Sequence, residues 1–328
     1  MTTEPAEFDI VVAGSGAAGM TAALTAAQLG LSVLVIEKTG SFGGSTARSG
    51  GGIWAPGNTV LRAAGITDTP EQAGAYLAYV AGDCVPAELR RAFLEHCPAM
   101  LSLVLANTPL RLAWVPGYAD YYPEAPGGLA RGRSIEPVPL DGRVLGSELA
   151  HLGPPYLPSP DGVAITQADY RWLSLGPRHP RAMLAGARVA GRVARSRLLG
   201  HRVLSLGQAL AAGLRAGLLA SSVPVWLNTP LTGLEVRDGR VSGVHATRDG
   251  EPALITARRG VLIGYRTGDV WSPHIDESEP LQRMVAHFAE CALENKRPLS
   301  DGEAGLRIVR ILEAAQRSIK AQGGRITL

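Results

Sequence analysis

The sequence predicts an α/β fold built on a Rossmann-like βαβ unit, and three observations near its amino terminus support this. Residues 8–13 form a short apolar run, and the glycine-rich sequence 14–19 follows it without a gap. An alanine-rich helical pattern then continues to Leu29, and a second apolar run, 33–36, ends in Glu37. A strand, glycine-rich turn, helix and second strand ending in an acid are typical of dinucleotide binding.

Each glycine of this turn has a separate task. Gly14 permits the tight turn, Gly16 lets the backbone approach a pyrophosphate, and Gly19 lets the helix and the strand pack closely. The helix directs its free N–H groups at the anion, and Glu37 is placed to accept the ribose hydroxyls. The alternative interpretation is a tight βα turn that binds no ligand.

A second glycine-rich segment, residues 41–52, has small side chains and bare backbone amides that could surround a flat cofactor. Composition alone is typical of a flexible loop. Its position directly after the βαβ unit favours a cofactor cradle, and we call residues 41–52 the cradle segment. The predicted cofactor-binding residues are Gly14, Ser15, Gly16, Ala17, Ala18, Gly19, Glu37, Lys38, Gly43, Gly44, Ser45, Thr46, Ser49, Gly50, Gly51 and Gly52.

Composition and charge exclude several classes of function. A chain of 328 residues can bury a sizeable core, and its net charge of +3 is too small to indicate nucleic-acid binding. Acidic residues, and no basic region, precede the uncharged stretch 10–36, so we expect a cytoplasmic protein without a secretory signal. The cysteines Cys84, Cys97 and Cys291 are expected to be reduced, and the scattered histidines predict no metal site.

Helices are predicted between the cradle segment and residue 219. Thr69 caps a helix that extends to about Ala81, because Pro70 follows at the first helical position. Another helix begins at Pro86 and extends to about residue 106, with a break or restart at Pro98. Residues 208–219 also have a helical pattern.

The loop 115–128 contains three of the eight tyrosines among prolines and glycines, and we call it the tyrosine loop. In a ligand pocket, a phenol can protonate a carbonyl oxygen or donate a hydrogen bond to it. The alternative, which spacing alone favours, is that the rings only anchor the loop.

Residues 178–202 are rich in arginine, and the four arginines 181, 188, 192 and 195 fall on one face of a helix. Such a helix could make weak contact with an anionic membrane surface. The alternative is a solvated face.

Four short strands are predicted at residues 223–227, 231–237, 241–248 and 254–257. Asp238-Gly239 and Asp249-Gly250 are turn signals, so these strands predict a small antiparallel meander. One further short strand is predicted at 261–264.

Five segments carry a resemblance to a known family. They are GSGAAG with Glu37-Lys38, FGGSTARSGGGIWAPGN, YADYYPEAPGG, GQAL at 207–210 and ARRGVLIG at 257–264. Through them, residues 8–264 resemble the flavoprotein family of 3-ketosteroid Δ1-dehydrogenases, which is related to soluble fumarate reductases. The first two segments are shared by many FAD enzymes, and the YADYYPEAPGG segment discriminates best.

The resemblance implies an FAD cofactor, a 3-ketosteroid-like substrate and dehydrogenation between C1 and C2 of ring A. One group polarises the C3 carbonyl, a tyrosinate removes a proton from C2, and hydride passes from C1 to flavin N5. The loop tyrosine of that family matches Tyr122, with Tyr121 and Tyr118 as less favoured candidates.

The carboxyl-terminal part departs from that family. Residues 265–328 resemble the end of glucose–fructose oxidoreductase and inositol 2-dehydrogenase family proteins, with a strand, a helix at 279–295 and a helix capped by Ser300. We therefore predict an FAD-binding domain, 1–264, with core 8–60 and 204–264 and a helical insertion 61–203, joined to an α+β tail, 265–328.

This join would leave the enzyme without its substrate domain and expose apolar surface at which copies could self-associate. The predicted function is an FAD-dependent oxidoreductase that is catalytically incomplete. The alternatives are a non-catalytic flavin-binding remnant or fusion product and a fumarate-reductase-like flavoprotein.

Overall fold

The computed structural model describes residues 6–155 and 163–263, together with two helical positions, Glu313 and Arg317. The chain divides into two units, Met1–Arg266 and Thr267–Leu328. The predicted join at 264–265, the tail elements and Cys291 lie outside the described residues.

The described residues form a central sheet with helices and a helical insertion. The strands are β1 (Ala6–Ala13), β2 (Val33–Ile36), β3 (Ile53–Trp54), β4 (Leu112–Trp114), β5 (Ser134–Pro137), β6 (Leu140–Asp141), β7 (Val203–Leu204), β8 (Val225–Trp226), β9 (Leu231–Arg237), β10 (Arg240–Arg248) and β11 (Glu251–Ile263). The helices are α1 (Ala17–Gln28), α2 (Gly44–Ala47), α3 (Thr59–Ala63), α4 (Pro70–Ala81), α5 (Ala87–Asn107), α6 (Gln167–Leu173), α7 (Pro180–Leu199) and α8 (Leu206–Ala220). Short 3₁₀ segments occupy Gly82–Cys84 and Gly142–His151.

The central sheet has the strand order β8-β2-β1-β11-β10-β9. Strands β8, β2, β1 and β11 are parallel, and β10 and β9 continue the sheet as an antiparallel edge. Val11 of β1 pairs with Leu34 on one side and with Val261 on the other. All of β2 is buried, as expected for a parallel strand covered on both faces.

Apolar side chains fill both sides of this sheet. On one side, Val12 and Val35 belong to a core with Leu24 of α1 and Leu214 of α8. On the other side, Leu34 belongs to a core with Val244 and Ile255 of the antiparallel edge. The predicted α/β fold is therefore confirmed, and the carboxyl ends of β1 and β2 lie beside the glycine-rich turn.

The strand prediction is wrong in two respects. Residues 223–227 do not join the antiparallel meander, because β8 pairs in parallel with β2 through Val35 and Val225. Residues 254–257 and 261–263 do not form separate strands but belong to the single strand β11, and residue 264 lies outside the described residues. Strand β11 continues through Arg258. The exposed guanidinium of this residue donates to Asp9 (3.1 Å) and Glu7 (3.2 Å) of the neighbouring strand β1.

Helix α4 begins where the sequence predicts, and the Thr69 side chain accepts a hydrogen bond from the Gln72 N–H (3.2 Å). The predicted break at Pro98 is wrong, because α5 continues from Ala87 to Asn107 with the proline inside it. Leu101 and Val104, beyond the proline, are buried, and this packing holds the helix together despite the missing N–H.

Candidate functional site

The glycine-rich turn lies between β1 and α1, as the sequence predicts. Gly14 has a φ of 105°, which favours glycine, and a Cβ on Gly19 would lie 2.0 Å from the Gly14 carbonyl oxygen. Gly16 is the N-cap of α1 and has no side chain with which to cap the helix. The first turn of α1 contains no acidic residue, so the N–H groups that follow Ala17 can donate hydrogen bonds to an anion.

Gly16 provides a direct test of whether a ligand fits. A Cβ placed on Gly16 would meet nothing closer than the Thr46 Oγ1 atom, at 3.7 Å, so the protein itself leaves room for a side chain there. The φ of −71° and ψ of 177° also suit any residue. A glycine that neither packing nor backbone conformation requires fits a site where a ligand approaches the main chain.

Glu37 holds the glycine-rich turn instead of extending freely from the end of β2. Its side chain is buried and accepts four hydrogen bonds, two from the N–H and Oγ of Ser15 (3.0 and 2.6 Å) and two from the N–H and Oγ1 of Thr39 (3.0 and 3.1 Å). The Gly43 N–H donates in turn to the Ser15 Oγ (3.2 Å). Glu37 therefore links the turn to the cradle segment, a role that spacing alone does not reveal.

The cradle segment packs directly on α1 and α8. Thr46 Oγ1 accepts a hydrogen bond from the Ala17 N–H (2.9 Å), which joins α2 to the start of α1. The Gly207 N–H donates to the Ser49 carbonyl (3.0 Å), and a Cβ on Gly51 would lie 2.5 Å from the backbone of Leu206. These contacts leave no space for larger side chains at the junction.

The predicted cofactor-binding residues differ in exposure. Ser15, Gly19, Glu37, Gly43 and Gly51 are buried and belong to the framework of the site. The residues that stay exposed at this surface are Ala18, Lys38, Gly44, Ser45, Ser49, Gly50 and Gly52.

The helical insertion contacts the cradle segment through α6. The Gln167 side chain donates to the Gly50 carbonyl (2.8 Å), while the N–H groups of Gln167 and Ala168 donate to the Glu136 carboxylate (2.6 and 3.1 Å). Burial raises the pKa of Glu136, and these two backbone hydrogen bonds oppose the shift. Glu136 therefore anchors the start of α6 beside the cradle.

The tyrosine loop and the cradle segment line one cavity of about 270 Å³. Gly52, Trp54, Tyr118 and Tyr121 all form part of its wall. Tyr122, the tyrosine that the sequence favours, is not among the lining residues. The full lining is Gly52, Trp54, Tyr76, Leu77, Val80, Tyr118, Ala119, Asp120, Tyr121, Ser134 and Gln167.

The phenols of Tyr118 and Tyr121 interact with each other. The hydrogen bond with Tyr121 raises the pKa of Tyr118, and partial burial acts in the same direction. Tyr118 thus stays protonated at neutral pH and can donate a hydrogen bond to a carbonyl oxygen.

A buried arginine holds the tyrosine loop in place. Arg133 is fully buried, its Nε lies 2.8 Å from the Asp68 Oδ1, and its Nη1 pairs with the Asp120 Oδ2. Asp120, between the two cavity tyrosines, also accepts a hydrogen bond from the Trp54 Nε1 (3.0 Å). The guanidinium donates to the Gly127 carbonyl (2.8 Å) as well, so one side chain ties the middle and the carboxyl end of the loop to the rest of the site.

Sequence reasoning missed Arg133, Asp120, Gln167 and Glu136. An acid between two tyrosines was the one local signal for Asp120. The other three residues each make a contact at least 31 positions away along the chain, and such contacts are not encoded by a local pattern.

A second cavity is an apolar groove of about 800 Å³ along α1. Leu29, Met100 and Leu262 contribute to its walls, and Thr21 and Thr25 are its polar side chains. Among the described residues, no cluster of three His, Cys, Asp or Glu side chains could hold a metal ion. No helix within the described ranges is long and apolar enough to cross a membrane.

The chain matches the family model described as FAD binding domain over residues 9–287. The 3-oxosteroid 1-dehydrogenase of Mycolicibacterium smegmatis is 51% identical over 79% of this chain and 46% of that protein. The 4-oxocyclohexanecarboxylate 2-dehydrogenase of Sinomonas cyclohexanicum is 30% identical over 97% of this chain and 52% of that protein.

Among solved structures, the 3-ketosteroid Δ1-dehydrogenase of Sterolibacterium denitrificans, in complex with 1,4-androstadiene-3,17-dione, has a TM-score of 0.71. It is 36% identical and covers 79% of this chain and 47% of that one. The chain spans about half the length of the curated relatives it matches. The glycine-rich turn, the Glu37 network and these likenesses agree: the chain belongs to the FAD binding domain family, uses FAD as its cofactor and resembles the 3-oxosteroid 1-dehydrogenases.

Proposed function

We propose that this chain carries the FAD-binding half of a flavin-dependent dehydrogenase that acts on a 3-ketosteroid-like substrate. The observation that carries the proposal is the aromatic cavity that the cradle glycine Gly52 lines together with Tyr118 and Tyr121. The likeness to 3-oxosteroid 1-dehydrogenases from several bacteria supports the choice of substrate class.

Different residues of the chain bind different parts of FAD. The first turn of α1 and the bare main chain at Gly16 receive the pyrophosphate, and the exposed glycines of the cradle segment contact the rest of FAD. When bound, FAD supplies a two-electron acceptor for hydride. Glu37 keeps the turn in shape through Ser15 and lies where a ribose hydroxyl would approach.

The tyrosines supply a proton donor to the substrate side of the site. Tyr118, a phenol that is neutral at pH 7, would donate to the substrate carbonyl oxygen and stabilise the charge that develops there. The cavity lining favours Tyr118 and Tyr121 for this role over Tyr122, which remains a candidate through the family motif.

We further propose that the chain alone binds FAD without turning over substrate. Its relatives are about twice as long. Groups that complete their active sites would therefore have to come from the part of those proteins that this chain does not cover. We also propose the domain boundary at residue 264 and the unrelated origin of the tail; the family match itself continues to residue 287.

Self-association is proposed on the apolar surface of the described residues. Leu29, which borders the groove along α1, is 74% exposed, and Leu262 at the other wall is 40% exposed. Apolar surface of this kind favours association between copies. Sedimentation velocity over a range of protein concentrations would detect it, and a constant monomer would contradict it.

The test of function uses the purified full chain. Its visible spectrum reports bound flavin, and addition of a 3-ketosteroid with an artificial electron acceptor reports turnover. A yellow protein without turnover is the expected result. Turnover would contradict the proposed incompleteness, and a colourless, folded protein that takes up no added FAD would contradict the binding role.

A further inference from the structure

The carboxyl-terminal part of the cradle segment is held from two directions. The Gly207 N–H, at the start of α8, donates to the Ser49 carbonyl (3.0 Å). The Gln167 side chain, at the start of α6, donates to the next carbonyl along the chain, that of Gly50 (2.8 Å). Two successive carbonyls of the cradle segment are therefore bound by different helices, and one of these helices belongs to the insertion.

The carbonyl that Gln167 binds belongs to a peptide that is fixed at both ends. The peptide between Gly50 and Gly51 is trans and planar, so its carbonyl and its N–H point in opposite directions. The carbonyl accepts from the Gln167 carboxamide, and the Gly51 N–H donates to the Ser49 Oγ (3.1 Å). Neither glycine has a side chain that limits rotation of this peptide. The side chains of Gln167 and Ser49 therefore set its orientation.

Gly52 provides a second observation on the same contact. A Cβ placed on Gly52 would lie 2.9 Å from the Gln167 Nε2, whereas a Cβ on Gly50 would lie 3.5 Å from it, an ordinary contact. The bare main chain at Gly52 thus lets the carboxamide lie directly on the cradle segment. Gly52 and Gln167 also line the cavity of the tyrosine loop, so this contact lies where the cradle segment meets that cavity.

The insertion fixes the position of Gln167. Glu136 is only 3% exposed, and its carboxylate accepts hydrogen bonds from the first two N–H groups of α6, of which that of Gln167 is the shorter (2.6 Å). Asp169 forms a capping box with Thr166 and pairs with Arg192 of α7 (2.5 Å). The start of α6 is therefore anchored on β5 and on α7, and its side chain reaches the cradle segment from a rigid support.

We propose that Gln167 is a positioning residue for FAD and acts through the peptide between Gly50 and Gly51. The inference rests on the proposed contact between the cradle segment and FAD. Because the carboxamide holds the Gly50 carbonyl, the glycine main chain is already ordered before FAD binds. Without this donor the peptide can rotate, and ordering it again opposes binding. A side chain that only filled space here would act without its N–H group.

The test measures FAD binding to the flavin-free full chain by calorimetry, with circular dichroism to report the fold of each variant. Gln167→Leu removes the donor and keeps a side chain of comparable size. Its matched control is Gln28→Leu, which removes the hydrogen bond of another glutamine, with Ser221, at the end of α1 remote from the glycine-rich turn. Gln167→Glu keeps the shape of the side chain, but a carboxylate cannot donate to the Gly50 carbonyl until it is protonated.

Gln167→Leu should raise the dissociation constant for FAD about tenfold, the equivalent of one lost hydrogen bond, and Gln28→Leu should leave it unchanged. Gln167→Glu should bind as weakly at about pH 8 and recover roughly threefold, relative to the unchanged chain, at about pH 5, where the new carboxyl begins to carry a proton. Glu136, Asp169 and Arg192 lie around this position in both proteins, so their own titration cancels in the comparison.

Three results would overturn the inference while FAD binding by the cradle segment stands. They are unchanged affinity in Gln167→Leu, equal weakening in Gln28→Leu, and a loss in Gln167→Glu that does not depend on pH. If Gln167→Leu does not fold, the pH dependence of Gln167→Glu decides. Failure of the unchanged chain to take up FAD would instead remove the proposed binding role, and this inference with it.

Discussion

Arg133 offers the sharpest test of how the tyrosine loop is held. The side chains of Arg133 and its partners Asp68 and Asp120 are at most 2% exposed. Replacing Arg133 with Met keeps most of the side-chain volume but leaves two buried carboxylates without their cation. Breaking a buried ion pair in this way costs about 3–5 kcal/mol, so we expect a loss of that size in the free energy of unfolding.

In thermal unfolding followed by circular dichroism, such a loss would lower Tm by roughly 6–20 °C for a domain of this size. Arg131→Met is the matched control, because Arg131 is exposed and lies 5.2 Å from the ring centre of Trp114. It should cost less than about 1 kcal/mol. Adding Asp120→Asn to the Arg133 variant should recover part of the loss by removing one unpaired charge. If both arginine variants lose less than about 1 kcal/mol, the buried network does not hold the loop.

Three further predictions concern titration and the Glu37 network. Tyr121→Phe should lower the pKa of Tyr118 towards its usual value, since the hydrogen bond that raises this pKa is lost. Phenolate absorbance during a pH titration measures the pKa, and an unchanged pKa would mean that the two tyrosines do not interact. The folded-state pKa of Glu136 lies above its ordinary value of 4.5, so the unfolded chain releases this proton first as the pH rises. Relative to Glu136→Gln, the stability of the native chain should therefore fall as the pH increases above 4.5, and parallel pH–stability curves would contradict the shift. Glu37→Ala removes the acceptor of four hydrogen bonds and should weaken FAD retention during gel filtration, whereas full retention would mean that the turn keeps its shape without it.

The features that could be predicted from the sequence are local ones. The βαβ unit occupies one continuous stretch of the chain. The positive φ of Gly14 and the helix cap at Thr69 depend only on neighbours a few residues away. The turns at Asp238-Gly239 and Asp249-Gly250 were predicted for the same reason, and all four residues have positive φ.

The remaining features depend on contacts between distant segments. The two residues of β8 become a strand only because the edge of β2 is available to them. Arg133 joins residues 68, 120 and 127, and Gln167 reaches the cradle segment 117 residues earlier in the chain.

Gly16→Ala tests the central claim, that the glycine-rich turn receives FAD, most directly. The nearest atom to the new methyl group would be 3.7 Å away, so the apo-protein should keep its stability within about 0.5 kcal/mol. The dissociation constant for FAD, measured by calorimetry on the flavin-free full chain, should rise at least tenfold, which is about 1.4 kcal/mol. Gly19→Ala, by contrast, should destabilise the protein itself, because its methyl group would lie 2.0 Å from the Gly14 oxygen. Unchanged FAD affinity in Gly16→Ala, with the fold intact, would contradict the proposed binding site.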